Sequence, residues 1–311
     1  MSVLGSILDA VVSASERFGR LDGRYLLPAL ALQLLTLVFR SLAWRGVLVA
    51  AYPGRRIPIL SVGAAYAAGV AMNAFTPARG GELAKVLIAR TRIPGSTAPT
   101  LAASLAVVLA ADALIGGLLI CSLWATGVLP ALPAPPGLGA AQIIVPAVIV
   151  AGAAVAIAYR MRPEPVRRLA RRAALGVAVV RHPGRYACTV LPFQLAAWSC
   201  RIGVVFLVLG AFGIEASLQT AALVVVLNGA STIVPVPGGA GTQQVLATYA
   251  LQGAVSAATA VSFSLGMQVG VTVVNTTVGL LAMMLLFRTF RPAGAVRSAR
   301  ALVGQRSGPP R

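Results

Sequence analysis

The sequence predicts an all-α polytopic membrane protein, and three observations support that prediction. First, 58% of the 311 residues are hydrophobic and only 11% are charged. Second, several apolar runs reach the roughly 20 residues that a helix needs to cross the hydrocarbon core of a bilayer. Third, the net charge of +19 comes from short basic clusters between those runs. Such clusters are typical of cytoplasmic loops and of contacts with anionic lipid headgroups, so we expect no nucleic-acid partner.

The first part of the chain begins with a segment that is too charged for a comfortable span. Residues 1–24 combine an apolar helical face with several charged side chains. We predict an interfacial amphipathic helix there, with a degenerate first span as the alternative. The first clear span covers residues 25–52, and Arg55 and Arg56 place its C-terminal end in the cytoplasm. The next span, 98–128, precedes a Pro-rich loop without Lys or Arg, as expected on the external face.

A linking span and the most basic loop of the chain occupy residues 129–185. Eight arginines lie between residues 160 and 185, which predicts a cytoplasmic loop. Two further spans are predicted at residues 186–212 and 257–287, and a basic, disordered tail is expected at 289–311. We therefore expect a multi-pass protein of the plasma (inner) membrane whose C-terminus is cytoplasmic.

The segment from residue 73 to residue 92 interrupts this pattern at the end of an apolar run. It contains Pro77 and two consecutive glycines, Gly80 and Gly81. Every backbone donor and acceptor needs a partner in lipid, so such a break is tolerated only where it is buried in protein or lines a wet cavity. The break therefore predicts a functional site. The alternative is an ordinary cytoplasmic loop between two spanning helices.

A new helix is predicted to begin after the two glycines. Its first turn carries Glu82, and Lys85, the only lysine of the chain, follows three residues later. The free N–H groups of a helix start attract anions, and Arg79 beside them adds a charge and a forked donor. We expect Arg79 to bind a phosphate group, and Glu82 to hold Arg79 in place or to exchange a proton.

A second break of the same form follows a later apolar run. It consists of Pro235, Pro237, Gly238, Gly239 and Gly241. Both breaks have the pattern P-x-x-G-G, and their positions differ by 235 − 77 = 158 residues. The same shift carries the predicted spans of the first half onto those of the second half.

The shift predicts two membrane repeats, at residues 25–128 and 186–288. Since the first begins and ends outside and the second begins and ends inside, the repeats are expected to have inverted topology. Each is expected to contain a re-entrant helical hairpin, near residues 59–92 and 217–251. Paired Gly/Pro-interrupted apolar segments in inverted halves point to a transporter site near the bilayer midplane.

Both breaks resemble the lysylphosphatidylglycerol synthase transmembrane-region family, also called the flippase-like domain. The motifs that carry the resemblance are Asn73-x-x-x-Pro77-x-Arg79-x-Gly81-Glu82 and Pro235-x-Pro237-Gly238-Gly239-x-Gly241. Arg45 after Trp44 also resembles an Arg-Trp-Arg stretch that is usual in the family. The resemblance implies a membrane domain that moves or handles anionic or polyprenyl-linked lipids. Since only about two dozen residues follow Phe287, we expect no soluble synthase domain and no aminoacyl transfer.

Several positions depart from the pattern of that family. Gln243 and Gln244 stand where members often have a glutamate, and Leu109 stands for an arginine that usually precedes the intramembrane aspartate. Gln268 stands in the last span where an arginine is common. These neutral residues weaken any mechanism that needs charge in the second half. They suggest a divergent subfamily with its own substrate.

Asp112 and Arg201 are ionisable residues within apolar spans, where such side chains usually face the bundle interior with a partner. They are expected either to pair with each other or to line the path of the substrate. The predicted substrate-binding residues, which lie at the two breaks or carry charge nearby, are Asn73, Pro77, Arg79, Gly80, Gly81, Glu82, Lys85, Asp112, Arg201, Pro235, Pro237, Gly238, Gly239, Gly241 and Gln244.

No metal-ligand cluster, nucleotide-binding loop or catalytic triad is apparent in the sequence, so we expect no cofactor, no metal and no enzymatic activity. The predicted function is that of a lipid flippase or lipid transporter. The alternative is a non-transporting membrane subunit, or an enzyme, of lipid or cell-envelope biosynthesis, in which case a partner enzyme of lipid synthesis is expected. The sequence does not name the lipid.

Overall fold

A computed structural model describes residues 22–76, 80–128, 172–215, 217–231 and 241–287. These residues form helices and connecting turns, and no strand occurs among them. The α-helices in chain order are α1 (Gly23–Ala51), α2 (Ile59–Asn73), α3 (Gly80–Arg92), α4 (Ala98–Ala125), α5 (Pro183–Thr189), α6 (Leu191–Ala211), α7 (Leu218–Ser231), α8 (Thr242–Ala250) and α9 (Ala257–Phe287). A short 3₁₀ turn at Ala178–Arg181 precedes α5.

Four of these helices are long and apolar enough to cross a membrane: α1, α4, α6 and α9. They coincide with the spans predicted from hydropathy, so the all-α, multi-pass membrane class is confirmed. The predicted span at 186–212 is divided, because the chain leaves helical geometry at Val190 between α5 and α6. Pro192, which follows, has no N–H to donate and lies in the first turn of α6, where a proline costs least.

Other predicted segments lie outside the described residues. These are the interfacial helix, apart from its last three residues, the linking span near residues 142–159, and the tail at 289–311.

The starts of the long helices α1 and α4 follow from their capping residues. Asp22 accepts a hydrogen bond from the Arg24 amide at 2.9 Å, and the Thr97 hydroxyl accepts one from the Thr100 amide at 3.4 Å. Side chains of this kind satisfy amides that have no partner within the first turn of a helix. Both helix starts are therefore encoded locally.

Two short helices, α2 and α7, are each followed by a further short helix. With 15 residues, α2 is about 22 Å long, which is less than the roughly 30 Å of a bilayer core. It packs closely against α3. A Cβ atom added at Gly69 would overlap the Lys85 side chain, and one added at Gly81 would overlap the Gly69 carbonyl. The absence of side chains at these glycines therefore lets α2 and α3 approach each other.

Two pairs of helices begin at nearly the same offset along the chain. Helix α7 begins 218 − 59 = 159 residues after α2 and ends 231 − 73 = 158 residues after it. Likewise, α9 begins 257 − 98 = 159 residues after α4. Contacts also cross between the halves, because α1 packs against α6, α2 against α9, and α7 against α4. Helix α2 of the first half thus lies against the long helix α9 of the second half, and α7 of the second half lies against the long helix α4 of the first.

Buried side chains form two apolar clusters. One surrounds Trp44 and Leu48 of α1 together with Leu101 of α4, and the other surrounds Leu209 of α6 and Phe263 of α9. Large apolar side chains are also exposed along the outer faces of the long helices. In water such faces would be a liability, but in a bilayer they contact acyl chains.

Candidate functional site

The first break is closed by a side chain from the end of α2. The Asn73 Oδ1 atom accepts a hydrogen bond from the Gly81 amide at 2.9 Å. The first four amides of a helix have no partner within the helix, so Asn73 caps α3 across the break. One of the amides that the sequence offers to an anion is thus already bonded to the protein.

The first turns of α3 carry a partly buried ion pair. Lys85 Nζ lies 2.8 Å from Glu82 Oε1, and the two side chains are 4% and 22% exposed, respectively. The ammonium also lies 4.1 Å from the centroid of the Tyr66 ring of α2, a distance at which the ring face attracts a cation. The only lysine of the chain is therefore held by a carboxylate and an aromatic face.

The two oxygens of the Glu82 carboxylate are unequally bonded. Oε1 accepts from Lys85 and, at 3.5 Å, from Asn73 Nδ2. Oε2 is buried, and none of the described residues donates a hydrogen bond to it. One of the two carboxylate oxygens thus accepts no hydrogen bond from the described residues. A buried acceptor without a donor costs about 1–3 kcal/mol.

Asp112 of α4 is bonded on both oxygens. Its Oδ2 atom lies 2.9 Å from Arg40 Nη1 of α1, and its Oδ1 atom accepts from Trp198 Nε1 of α6 at 3.1 Å. Asp112 therefore forms an ion pair with Arg40, whereas the sequence offered Arg201 as its partner or, alternatively, both residues as lining of the substrate path. Arg201 lies on the same tryptophan, with its guanidinium carbon 5.1 Å from the Trp198 ring centroid.

Tyr66 connects the two ion pairs. Its hydroxyl lies 3.3 Å from Arg40 Nη1, while its ring faces Lys85. The polar contacts thus run from α6 and α4, through α1 and α2, to α3. Sequence reasoning assigned no role at this site to Tyr66, Trp198 or Arg40. The signal for Arg40 was present, since an arginine inside a span calls for a partner as much as Asp112 does.

The second break carries neutral groups at the start of α8. Gly241 has a φ of +83°, which glycine adopts without strain, and its amide donates to Gln244 Oε1 at 2.7 Å. Gln244 Nε2 in turn donates to Gln268 Oε1 of α9 at 2.8 Å. Gln244 and Gln268, two of the neutral residues noted in the sequence, are therefore bonded to each other.

Some predicted site residues lie outside the described residues, namely Pro77, Arg79, Pro235, Pro237, Gly238 and Gly239. Gly80 is the first residue of α3. Among the described residues, no group of three or more His, Cys, Asp or Glu side chains is arranged to hold a metal ion.

Both breaks and the helices around them lie within a stretch of sequence that a known family covers. The family model described as the lysylphosphatidylglycerol synthase TM region matches residues 9–296. The chain belongs to this family. The matched region includes both breaks and every described helix, so the resemblance drawn from the two motifs is confirmed. Comparisons with curated proteins and with solved structures found no match.

Proposed function

We propose that this member of the lysylphosphatidylglycerol synthase TM family is a lipid flippase or lipid transporter. It binds the anionic group of a membrane lipid, such as a phospholipid or a polyprenyl-linked lipid, at the α2–α3 hairpin. The observation that carries the proposal is the buried Lys85 ammonium at the start of α3. A cation inside a membrane domain is costly and usually belongs to a substrate path.

Arg79 is proposed to complete the headgroup site. The sequence places it directly before the first residue of α3, where the helix dipole favours negative charge. Arginine suits this position because its planar fork matches two phosphate oxygens, whereas lysine is a point charge.

The hairpins are proposed to be re-entrant and inverted. Helix α2 is shorter than the bilayer core, and its bounds recur in α7 after about 158 residues. The arginine distribution supports entry of α2–α3 from the cytoplasm and of α7–α8 from the outside, with a cytoplasmic C-terminus in the plasma membrane. Such hairpins bring broken helices to the interface of the repeats, where transporters bind substrate.

Labelling of single cysteines tests this topology. We expect Ile59→Cys, at the start of α2, and Arg92→Cys, at the end of α3, to react with a membrane-impermeant reagent from the cytoplasmic side. The native Cys121, Cys188 and Cys200 are replaced beforehand. Reaction of the two positions from opposite sides would show that the segment spans the membrane and would end the inverted-repeat proposal.

Transport is favoured over chemistry because the hairpin carries a single carboxylate. A hydrolase or transferase needs an activated nucleophile or a placed acid/base pair. Glu82 is already engaged with Lys85, and Asp112 is engaged with Arg40. The site is therefore proposed to bind and release a lipid without changing it.

The function is tested by reconstitution into liposomes with a labelled anionic lipid. Arg79→Lys is expected to lose about 1.5–3 kcal/mol of charge-assisted bonding, which corresponds to roughly tenfold to hundredfold weaker binding. Glu82→Gln is also expected to slow lipid movement. Arg56→Lys, the same change at an exposed loop arginine, is the matched control. Wild-type rates in both site variants would contradict the site assignment, and wild-type movement equal to that of empty liposomes would favour a non-transporting subunit.

A further inference from the structure

We propose that Glu82 is an internal competitor of the lipid headgroup. Its carboxylate occupies the place on the Lys85 ammonium that the anionic group of the lipid takes when it binds. This inference rests on the proposed function and adds a specific role for one carboxylate of the site.

The relative exposure of the Lys85 and Glu82 side chains supports the displacement of Glu82 by an incoming anion. Lys85 is 4% exposed and Glu82 is 22% exposed, so the carboxylate is the outer member of the pair. The ammonium donates to Glu82 Oε1, and the Tyr66 ring lies against it. An incoming anion therefore meets the carboxylate first and has to replace it to reach the ammonium.

A comparison of the two intramembrane carboxylates shows why Glu82 is the exchangeable one. Asp112 has a donor within 3.1 Å on each oxygen, Arg40 on one and Trp198 on the other. Glu82 has Lys85 at 2.8 Å and Asn73 at 3.5 Å, both on Oε1. Its buried Oε2 has no donor among the described residues. The bonding of Asp112 is therefore that of a structural ion pair, whereas Glu82 gives up one short bond to the described residues when it moves.

The exchange keeps the Lys85 ammonium paired with an anion both with and without bound lipid. A buried cation without a counter-ion is strongly unfavourable, and Glu82 supplies the counter-ion while no lipid is bound. A bound phosphate supplies it instead, and the return of Glu82 then assists release. A competitor of this kind weakens lipid binding and speeds lipid turnover. Its removal should therefore strengthen binding and slow turnover.

The test measures affinity and turnover for the same variants. The purified full-length protein in nanodiscs is titrated with fluorescent phosphatidylglycerol as the anionic probe and with phosphatidylcholine as the neutral probe. Glu82→Gln is expected to bind phosphatidylglycerol roughly tenfold more tightly, to bind phosphatidylcholine as the wild type does, and to move lipid more slowly. Glu215→Gln makes the same change of net charge at an exposed position and is expected to leave the affinity unchanged.

A second variant tests whether the gain passes through the ammonium. In Glu82→Gln/Lys85→Met the tighter binding should disappear, because two residues that share one interaction have non-additive effects. If Glu82→Gln is not monodisperse, Glu82→Asp, which retracts the carboxylate, should show a smaller gain.

The outcomes separate the inference from the proposed function. Equal or weaker binding of phosphatidylglycerol by Glu82→Gln, with wild type still preferring it over phosphatidylcholine, would overturn the competitor role alone. A wild type that binds the two lipids equally would overturn the proposed headgroup site and the competitor role together.

Discussion

The α2–α3 and α7–α8 hairpins occupy corresponding positions in the two halves of the chain. They differ in the polar side chains that pair within or beside them. In the first, Lys85 pairs with Glu82 inside the hairpin. In the second, Gln244 bonds Gln268 of the long helix α9. An ion pair within one helix can open without separating helices, whereas the glutamine pair fastens one helix to another. This difference fits the proposed exchange of ligands at the first hairpin, and we propose that the second hairpin is a structural support.

The close packing of the first hairpin depends on two glycines. Gly69 and Gly81 bring α2 and α3 into close contact, whereas no atom of the described residues lies within 4 Å of a Cβ atom added at Gly229 of α7. The first hairpin thus has a fixed backbone beneath its ion pair. Precise placement of a site requires such support.

The largest expected effect comes from breaking the other ion pair of the first half. Arg40→Met leaves the partly buried Asp112 carboxylate, which is 16% exposed, without its cation and should lower the free energy of unfolding by about 3–5 kcal/mol. The double variant Arg40→Met/Asp112→Asn should lose much less, because no charge is left unpaired. Denaturant unfolding in detergent micelles measures both, and a double variant no more stable than either single variant would show that the two residues do not interact.

A smaller effect is expected from filling the glycine contact of the first hairpin. Gly81→Ala places a methyl group against the Gly69 carbonyl and Asn73, so it should destabilise the protein by about 1–3 kcal/mol. Gly229→Ala is a glycine-to-alanine control within α7 and should be neutral or stabilising by up to about 1 kcal/mol. Equal losses of stability in the two variants, measured by thermal unfolding, would show that the cost of Gly81→Ala does not come from the contact between α2 and α3.

The smallest effect is expected from the neutral pair. Gln244→Leu removes two hydrogen bonds, one to Gln268 of α9 and one from the Gly241 amide, and side-chain hydrogen bonds between helices of membrane proteins contribute about 0.6 kcal/mol on average. The melting temperature should therefore change little, and lipid binding should be retained. Loss of lipid binding with an unchanged melting temperature would show that the second hairpin contacts the ligand.

Hydropathy was sufficient to predict the four long helices among the described residues, although α6 begins five residues after the predicted start of its span, 191 instead of 186. Long apolar runs place α1, α4 and α9, and the double glycine places the start of α3. The contacts between helices were not predictable in the same way. Whether Asp112 meets Arg40 or Arg201 depends on the rotation and depth of three helices, which a single sequence does not fix. Tyr66 carried no signal of its own, because an aromatic residue in an apolar run is equally suited to the core.

Lipid movement in two double variants tests most directly the claim that the charged hairpin handles the headgroup. Lys85→Met/Glu82→Gln removes the ion pair without leaving a buried charge unpaired, and Gln244→Met/Gln268→Met removes the glutamine pair. Both are reconstituted into liposomes with a labelled anionic lipid at matched protein density. We expect the first variant to fall to the rate of empty liposomes and the second to keep most of the wild-type rate. A wild-type rate in the first variant, or a loss confined to the second, would contradict the assignment of the site to the α2–α3 hairpin.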